Sequence, residues 1–202
     1  MITLKQNYWE SRYNKGGDSG TGSRGWSRRW KWFCINRCVN ISDSTVIDVG
    51  CGDLDFWKGR SCKRYTGIDI SPTIVQLNKS KKSDWNFICG DASKYYNLAP
   101  TDVVFCHDIL FHIMDDETYL KILEHLTTYS KKYIFIYTWW KNPFSPKTDD
   151  GLYQKYRTFD SYIYIFEQAN FELTKKIKTP KLIYPYGAMW IFKKKEMCNT
   201  GL

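Results

Sequence analysis

Five short apolar runs recur through the middle of the chain. They are "TVIDVG" (45–50), "YTGIDI" (65–70), "WNFICG" (85–90), "DVVFCH" (102–107) and "KYIFIYTWW" (132–140). Their hydrophobicity is mostly continuous rather than alternating, which is how strands read when both faces of a parallel sheet are covered. Helical patterns fall between them. "SPTIVQLNKS" offers Ser71 as N-cap and Pro72 at the first helical position. "DDETYLKILEHL" opens with acids and then spaces Tyr119, Ile122, Leu123 and Leu126 along one helix face. Two final runs, "FELTKKIK" and "AMWIFKK", are expected to pair antiparallel. This order predicts a three-layer α/β/α sandwich around a seven-stranded, mostly parallel sheet with an antiparallel last strand. Its sites should lie at the C-terminal ends of the strands.

Three other segments carry weaker signals. "WSRRWKWFCINRCV" reads as a helix with Trp26, Trp30, Phe33, Ile35 and Val39 at mostly helical spacing and basic residues between them. "TFDSYIYIFEQANF" reads as a helix with Phe159, Ile163 and Phe166 along one face, and "NPFSPKTDDG" (142–151) as a loop. No repeat or domain boundary interrupts the 202 residues, which suit a single domain that buries its core without disulfides.

Composition narrows the setting. None of the seven cysteines forms a CxxC. Cys34 and Cys38 could share a metal on one helix, but no second pair completes a tetrahedral site, so no metal is expected. Cys51, Cys89 and Cys106 lie in or beside apolar runs, as small hydrophobes do. A reducing, intracellular setting follows. "MITLKQNYWE" is too polar for a secretion signal, and no apolar run approaches the ~20 residues of a membrane span. A soluble, cytoplasmic protein with no membrane partner is expected. The net charge of +9 hints at an anionic partner, but the lysines are scattered, as on a solvated surface.

"GGDSGTGSRGW" (16–26) contains five glycines and reads as a linker, a phosphate loop or a lid. Gly17 and Gly22 have P-loop spacing, but Ser23 and Arg24 stand where that motif needs Lys and Ser/Thr. The most informative stretch is "VIDVGCGDLDFW". Asp48 ends the first strand, and Gly50 and Gly52 form a tight turn that a ligand can approach closely. The dinucleotide fingerprint fails because its third glycine would fall on Asp55. Asp69 ends the second strand, where a carboxylate can accept both hydroxyls of a ribose. Asp91, beside the small Ala92, ends the third and can accept from an adenine amino group.

Three acids capping successive strands beside a diglycine turn resemble the class I S-adenosylmethionine-dependent methyltransferases, a Rossmann-like family. The likeness runs in order through "VIDVGCGD", "YTGIDIS", "FICGDAS", "DVVFCHDILFHI" and "KYIFIYT". It implies S-adenosylmethionine as cofactor, with Gly50 and Gly52 at its amino-acid portion, Asp69 at the ribose, Asp91 and Ala92 at the adenine, and Asp48 and Ile70 also in the cofactor site. Leu54 departs from the pattern, since such families often carry a third glycine there. "YWESRYNKGGDSGTGSRG" is similar to the amino terminus of small bacterial methyltransferases, some associated with polysaccharide or natural-product clusters. On that likeness residues 1–40 form a lid and helix over a core of 41–202, with Arg12, Tyr13 or Arg24 near the cofactor's carboxylate.

His107, Asp108 and His112 follow the fourth strand, where this family places acceptor-facing residues, and His107 would also touch the cofactor. His112 is the preferred general base, because an imidazole titrates near neutrality. A packed or surface histidine is the alternative, and His125, inside a helical pattern, reads as structural. Trp139 and Trp140 would wall a flat acceptor pocket, core packing being the other reading of Trp139. The expected reaction is methyl transfer to a small-molecule acceptor, such as a hydroxyl on a sugar or metabolite. The alternatives are an RNA or protein substrate, which the basic and aromatic "SRRWKWF" favours, and a non-catalytic cofactor-binding module.

Overall fold

The computed structural model describes residues 4–143 and 154–196. Seven strands, β1 (Thr45–Val49), β2 (Arg64–Asp69), β3 (Asn86–Cys89), β4 (Thr101–His107), β5 (Ser130–Trp139), β6 (Phe171–Lys178) and β7 (Gly187–Lys194), form one sheet in the order β3-β2-β1-β4-β5-β7-β6. Strands β1 to β5 pair in parallel, and β7 runs antiparallel to both β5 and β6. The expected sheet is therefore present.

Five α-helices accompany it: α1 (Leu4–Asn14), α2 (Gly25–Asn36), α3 (Pro72–Lys81), α4 (Asp116–Tyr129) and α5 (Ile163–Gln168). Strand residues alternate between two cores. Ile47, Val104, Ile134 and Trp190 face α4 and α5. Val46, Val103, Phe105 and Ile191 face the other layer with Trp32 and Ile35 of α2 and Val75 of α3. Continuous apolar runs follow directly from this two-sided cover. Ser71 caps α3 by accepting from the Ile74 amide, and Asp115 caps α4 through the Thr118 amide.

Two helices differ from expectation. Helix α2 turns Lys31, Trp32, Cys34 and Ile35 inward, while Trp26 and Phe33 are 71% and 59% exposed. The "TFDSYIYIFEQANF" segment divides into a 3-10 stretch (Phe159–Tyr162) and the six-residue α5; Phe159 and Phe166 are buried and Ile163 only partly. Most of the expected loop 142–151 lies outside the described residues. No described helix is long and apolar enough to cross a membrane.

Candidate active site

The strand order reverses between β1 and β4, so their C-terminal ends diverge and leave a crevice. A cavity opens there. Gly50, Gly52, Asp69, Ile70, Asp91 and Ala92 line one side, and His107, Asp108 and His112 line another. Tyr13, from α1, joins them. The sheet thus brings together residues spread over a hundred positions.

Asp69 is buried, accepting from the Gly52 amide at 2.9 Å and the Ser71 amide at 3.0 Å. Burial pushes its carboxyl up to about 6 against the pull of those amides. Gly52 adopts φ +55, and a Cβ there would strike the Ser19 hydroxyl. That contact belongs to the glycine segment. The Ser19 amide donates to Asp53 at 2.9 Å, the Asp53 amide returns a bond to Ser19 Oγ at 2.8 Å, and the Tyr13 and Ser19 hydroxyls meet at 3.0 Å. Ser19 therefore lies over the Gly52–Asp53 turn.

Four predicted residues stand elsewhere. Asp48 lies on the opposite face of β1 and accepts from Trp57 Nε1 at 2.7 Å and the Tyr65 hydroxyl at 3.0 Å; burial pushes it to about 6. Arg12 pairs with Asp18 at 3.1 Å, and Arg24 with Asp18 at 2.5 Å and with Asp55. Both arginines line a second cleft instead. Trp140, just past β5, packs partly buried beside the α4 and α5 core and donates its Nε1 to the Pro185 carbonyl at 3.1 Å beneath the Lys178 ammonium.

The second cleft is open to solvent and adjoins the first. Trp139 and Phe111 stack in its wall, with centroids 4.2 Å apart and planes within 6°. Tyr137 and Tyr184 extend the aromatic surface. Trp9, Ser19, Asp108 and His112 line both cavities and form the wall between them. The buried His112 ring meets Trp9 edge-on at 5.3 Å. His107 lies against Phe56 and Phe105, each at 5.0 Å, and its Nε2 has no hydrogen-bond partner among the described residues. Desolvation, and then the nearby Lys31 ammonium, hold its pKa well below the ordinary imidazole value, so it is neutral near pH 7. His125 Nδ1 lies 3.2 Å from the Ala92 carbonyl, a structural contact.

Sequence reading missed Lys31. Its ammonium is buried, pairs with Asp108, donates to the Gly22 carbonyl at 3.0 Å and lies 4.0 Å over the Tyr137 ring. The signal was present: Lys31, Cys34, Ile35 and Cys38 follow i, i+3, i+4, i+7. Trp9 and Ser19 were also missed as site residues, although both lie within "YWESRYNKGGDSGTGSRG". Among the described residues no three His, Cys, Asp or Glu side chains converge as a metal site, and Cys34 is buried with its thiol pushed up to about 12 by desolvation.

Residues 47–128 match the family described as "Methyltransferase domain". Magnesium protoporphyrin IX methyltransferase from Synechocystis PCC 6803, with S-adenosylhomocysteine bound, is similar in structure. Its TM-score is 0.67 at 16% identity, over 94% of this chain and 98% of that one. The 1,6-didemethyltoxoflavin-N1-methyltransferase of Burkholderia thailandensis gives a TM-score of 0.71 at 13% identity, over 96% of this chain and 88% of that one. An S-adenosylmethionine-dependent methyltransferase from Clostridium acetobutylicum gives 0.64 at 14%, over 94% and 99%. No curated protein matches by sequence. By its matched segment and its fold, the chain is similar to S-adenosylmethionine-dependent methyltransferases.

Proposed function

We propose that this protein transfers a methyl group from S-adenosylmethionine in the first cavity to a small-molecule acceptor in the second. The observation that carries the reading is the shared wall: two cavities meet at Asp108 and His112, so donor and acceptor can face each other across a short gap. The first cavity suits a nucleoside joined to an amino acid. Its glycines leave backbone exposed, Asp69 has lone pairs for ribose hydroxyls, Asp91 can accept from an adenine edge, and the buried His107 Nε2 awaits a polar partner. Tyr13, on the first cavity's wall, closes it from the α1 side, while Asp48, Arg12 and Arg24 act indirectly by fixing the surrounding turns.

When bound, S-adenosylmethionine supplies a sulfonium methyl open to in-line displacement, a reaction in which alignment and exclusion of water contribute most of the acceleration. The Phe111–Trp139 stack and Tyr137 would orient a flat acceptor. Asp108 would accept a hydrogen bond from its nucleophile. His112 would take the proton, because His107 is too desolvated to hold one. A second reading has its own support: Trp26 and Phe33 lie exposed on α2 under Arg29 and Arg37, a surface suited to stacking bases. The experiment supplies methyl-labelled S-adenosylmethionine with fractionated small metabolites, total RNA or total protein. Label in a metabolite fraction supports the proposal, label in RNA or protein replaces the acceptor class, and label in none leaves a binding module.

A further inference from the structure

Lys31 is more deeply buried than any other charged side chain among the described residues, at 1% exposure, and it pairs with Asp108, which lines both cavities. Its three partners come from three separate pieces of chain: the Gly22 carbonyl in the glycine segment, the Asp108 carboxylate just after β4, and the Tyr137 ring of β5. Gly22 approaches so closely that a Cβ there would collide with the Asp108 carboxylate. Asp108 itself takes φ +58, a left-handed conformation uncommon outside glycine.

A lysine is an expensive way to pack α2 against the sheet. Burying an ammonium carries a desolvation penalty that pairing only offsets, and an apolar side chain of similar length often packs as well or better. The lowered Lys31 pKa reflects that desolvation, with Asp108 opposing it. What a methionine could not do is donate to Gly22 and Asp108 together.

We propose that Lys31 is a positioning residue that clamps the 16–25 segment across the cavity junction by joining Gly22 to Asp108. One end of the clamp holds the segment whose Ser19 lies over the Gly52–Asp53 turn and completes the first cavity. The other end engages Asp108 Oδ2, and Asp108 lines the acceptor cleft. Its effect on ligand binding rests on the first cavity being the S-adenosylmethionine site; its effect on the segment does not.

The test uses the full chain as Lys31→Met and as Lys31→Met/Asp108→Asn. The double variant has no unpaired charge at the junction, so the fold is kept while the clamp is lost. Hydrogen exchange across 16–25 should quicken by about tenfold or more, as expected for losing a charge-assisted hydrogen bond. The sheet strands should keep their protection. S-adenosylhomocysteine affinity, read by titration calorimetry, should fall by about tenfold. A double variant that melts like the wild type and keeps wild-type exchange across 16–25 would overturn the proposal. Failure of the wild type to bind S-adenosylhomocysteine would instead sink the reading of the first cavity, with segment exchange still deciding the role of Lys31.

Discussion

Leu54 adopts φ 64 and ψ 11 in the turn after β1, the left-handed region that glycine occupies without strain. Its side chain is nevertheless buried against Phe56 and Trp57 of the same core. The missing glycine therefore leaves the turn's path intact, because burial of an aliphatic side chain offsets the backbone strain. A reversal of the usual ranking follows. Leu54→Ala loses the burial and keeps the strain, whereas Leu54→Gly loses both. Urea denaturation should find the glycine variant more stable than the alanine variant by about 1 kcal/mol. Asp69 gives a second prediction. Ribose hydroxyls donate to a carboxylate, so ligand binding favours deprotonation of a group raised to about 6. S-adenosylhomocysteine affinity should weaken as pH falls through that value, and calorimetry near it in buffers of different ionisation enthalpy should show proton release on binding. Asp69→Ala should cost about ten- to a hundredfold in affinity at pH 7.

At the scale of elements, α2 has two aromatic faces, and only one is core. Trp32 is buried, stacks on Phe56 at 4.6 Å and donates its Nε1 to the Phe56 carbonyl at 2.8 Å. Trp26 and Phe33 lie on the opposite side, with Arg29 and Arg37 over their rings. Of the series expected at helical spacing, Ile35 is buried and Trp30 and Val39 pack partly against the core, whereas Trp26 and Phe33 stay outside. Trp32→Ala should destabilise the protein by about 3–5 kcal/mol. Trp26→Ala should stay within about 0.5 kcal/mol. Thermal or urea unfolding of the two variants distinguishes the faces. Helix α1 is tied down more locally: Glu10 accepts from Ser71 and Thr73 at the start of α3, which brings Trp9 and Tyr13 over the first cavity.

For the molecule as a whole, the net charge of +9 bears on the choice of acceptor. RNA binding through basic residues releases counterions, so its affinity falls steeply with salt. In the second cleft, Arg12 and Arg24 are already paired with Asp18, Asp53 and Asp55, and Lys31 with Asp108. The cleft thus offers aromatic faces more than uncompensated charge, which favours a neutral planar acceptor. Fluorescence anisotropy with single-stranded RNA should show weak binding at physiological salt. Tight, salt-sensitive binding there would move the choice to the exposed face of α2.

The succession of strands along the chain, the capped start of α3, the acidic first turn of α4, and the Gly50, Gly52, Asp69 and Asp91 positions were legible in the sequence, because hydrophobic period, cap chemistry and turn glycines act over a few neighbouring residues. The sandwich followed from them. Lys31 meeting Asp108 was not legible, nor was Ser19 closing on Asp53, since each joins positions far apart in the chain through a contact that exists only once the sheet has formed. Asp48 shows the same limit from the other side. Its place at the end of β1 looked like that of a ligand-binding acid, but which face of the strand it takes, and the Trp57 and Tyr65 donors that satisfy it there, were decided by packing. Sequence sets which residues can be acids, turns and strands; the low-dielectric interior decides which of those charges find a partner and which face a cavity.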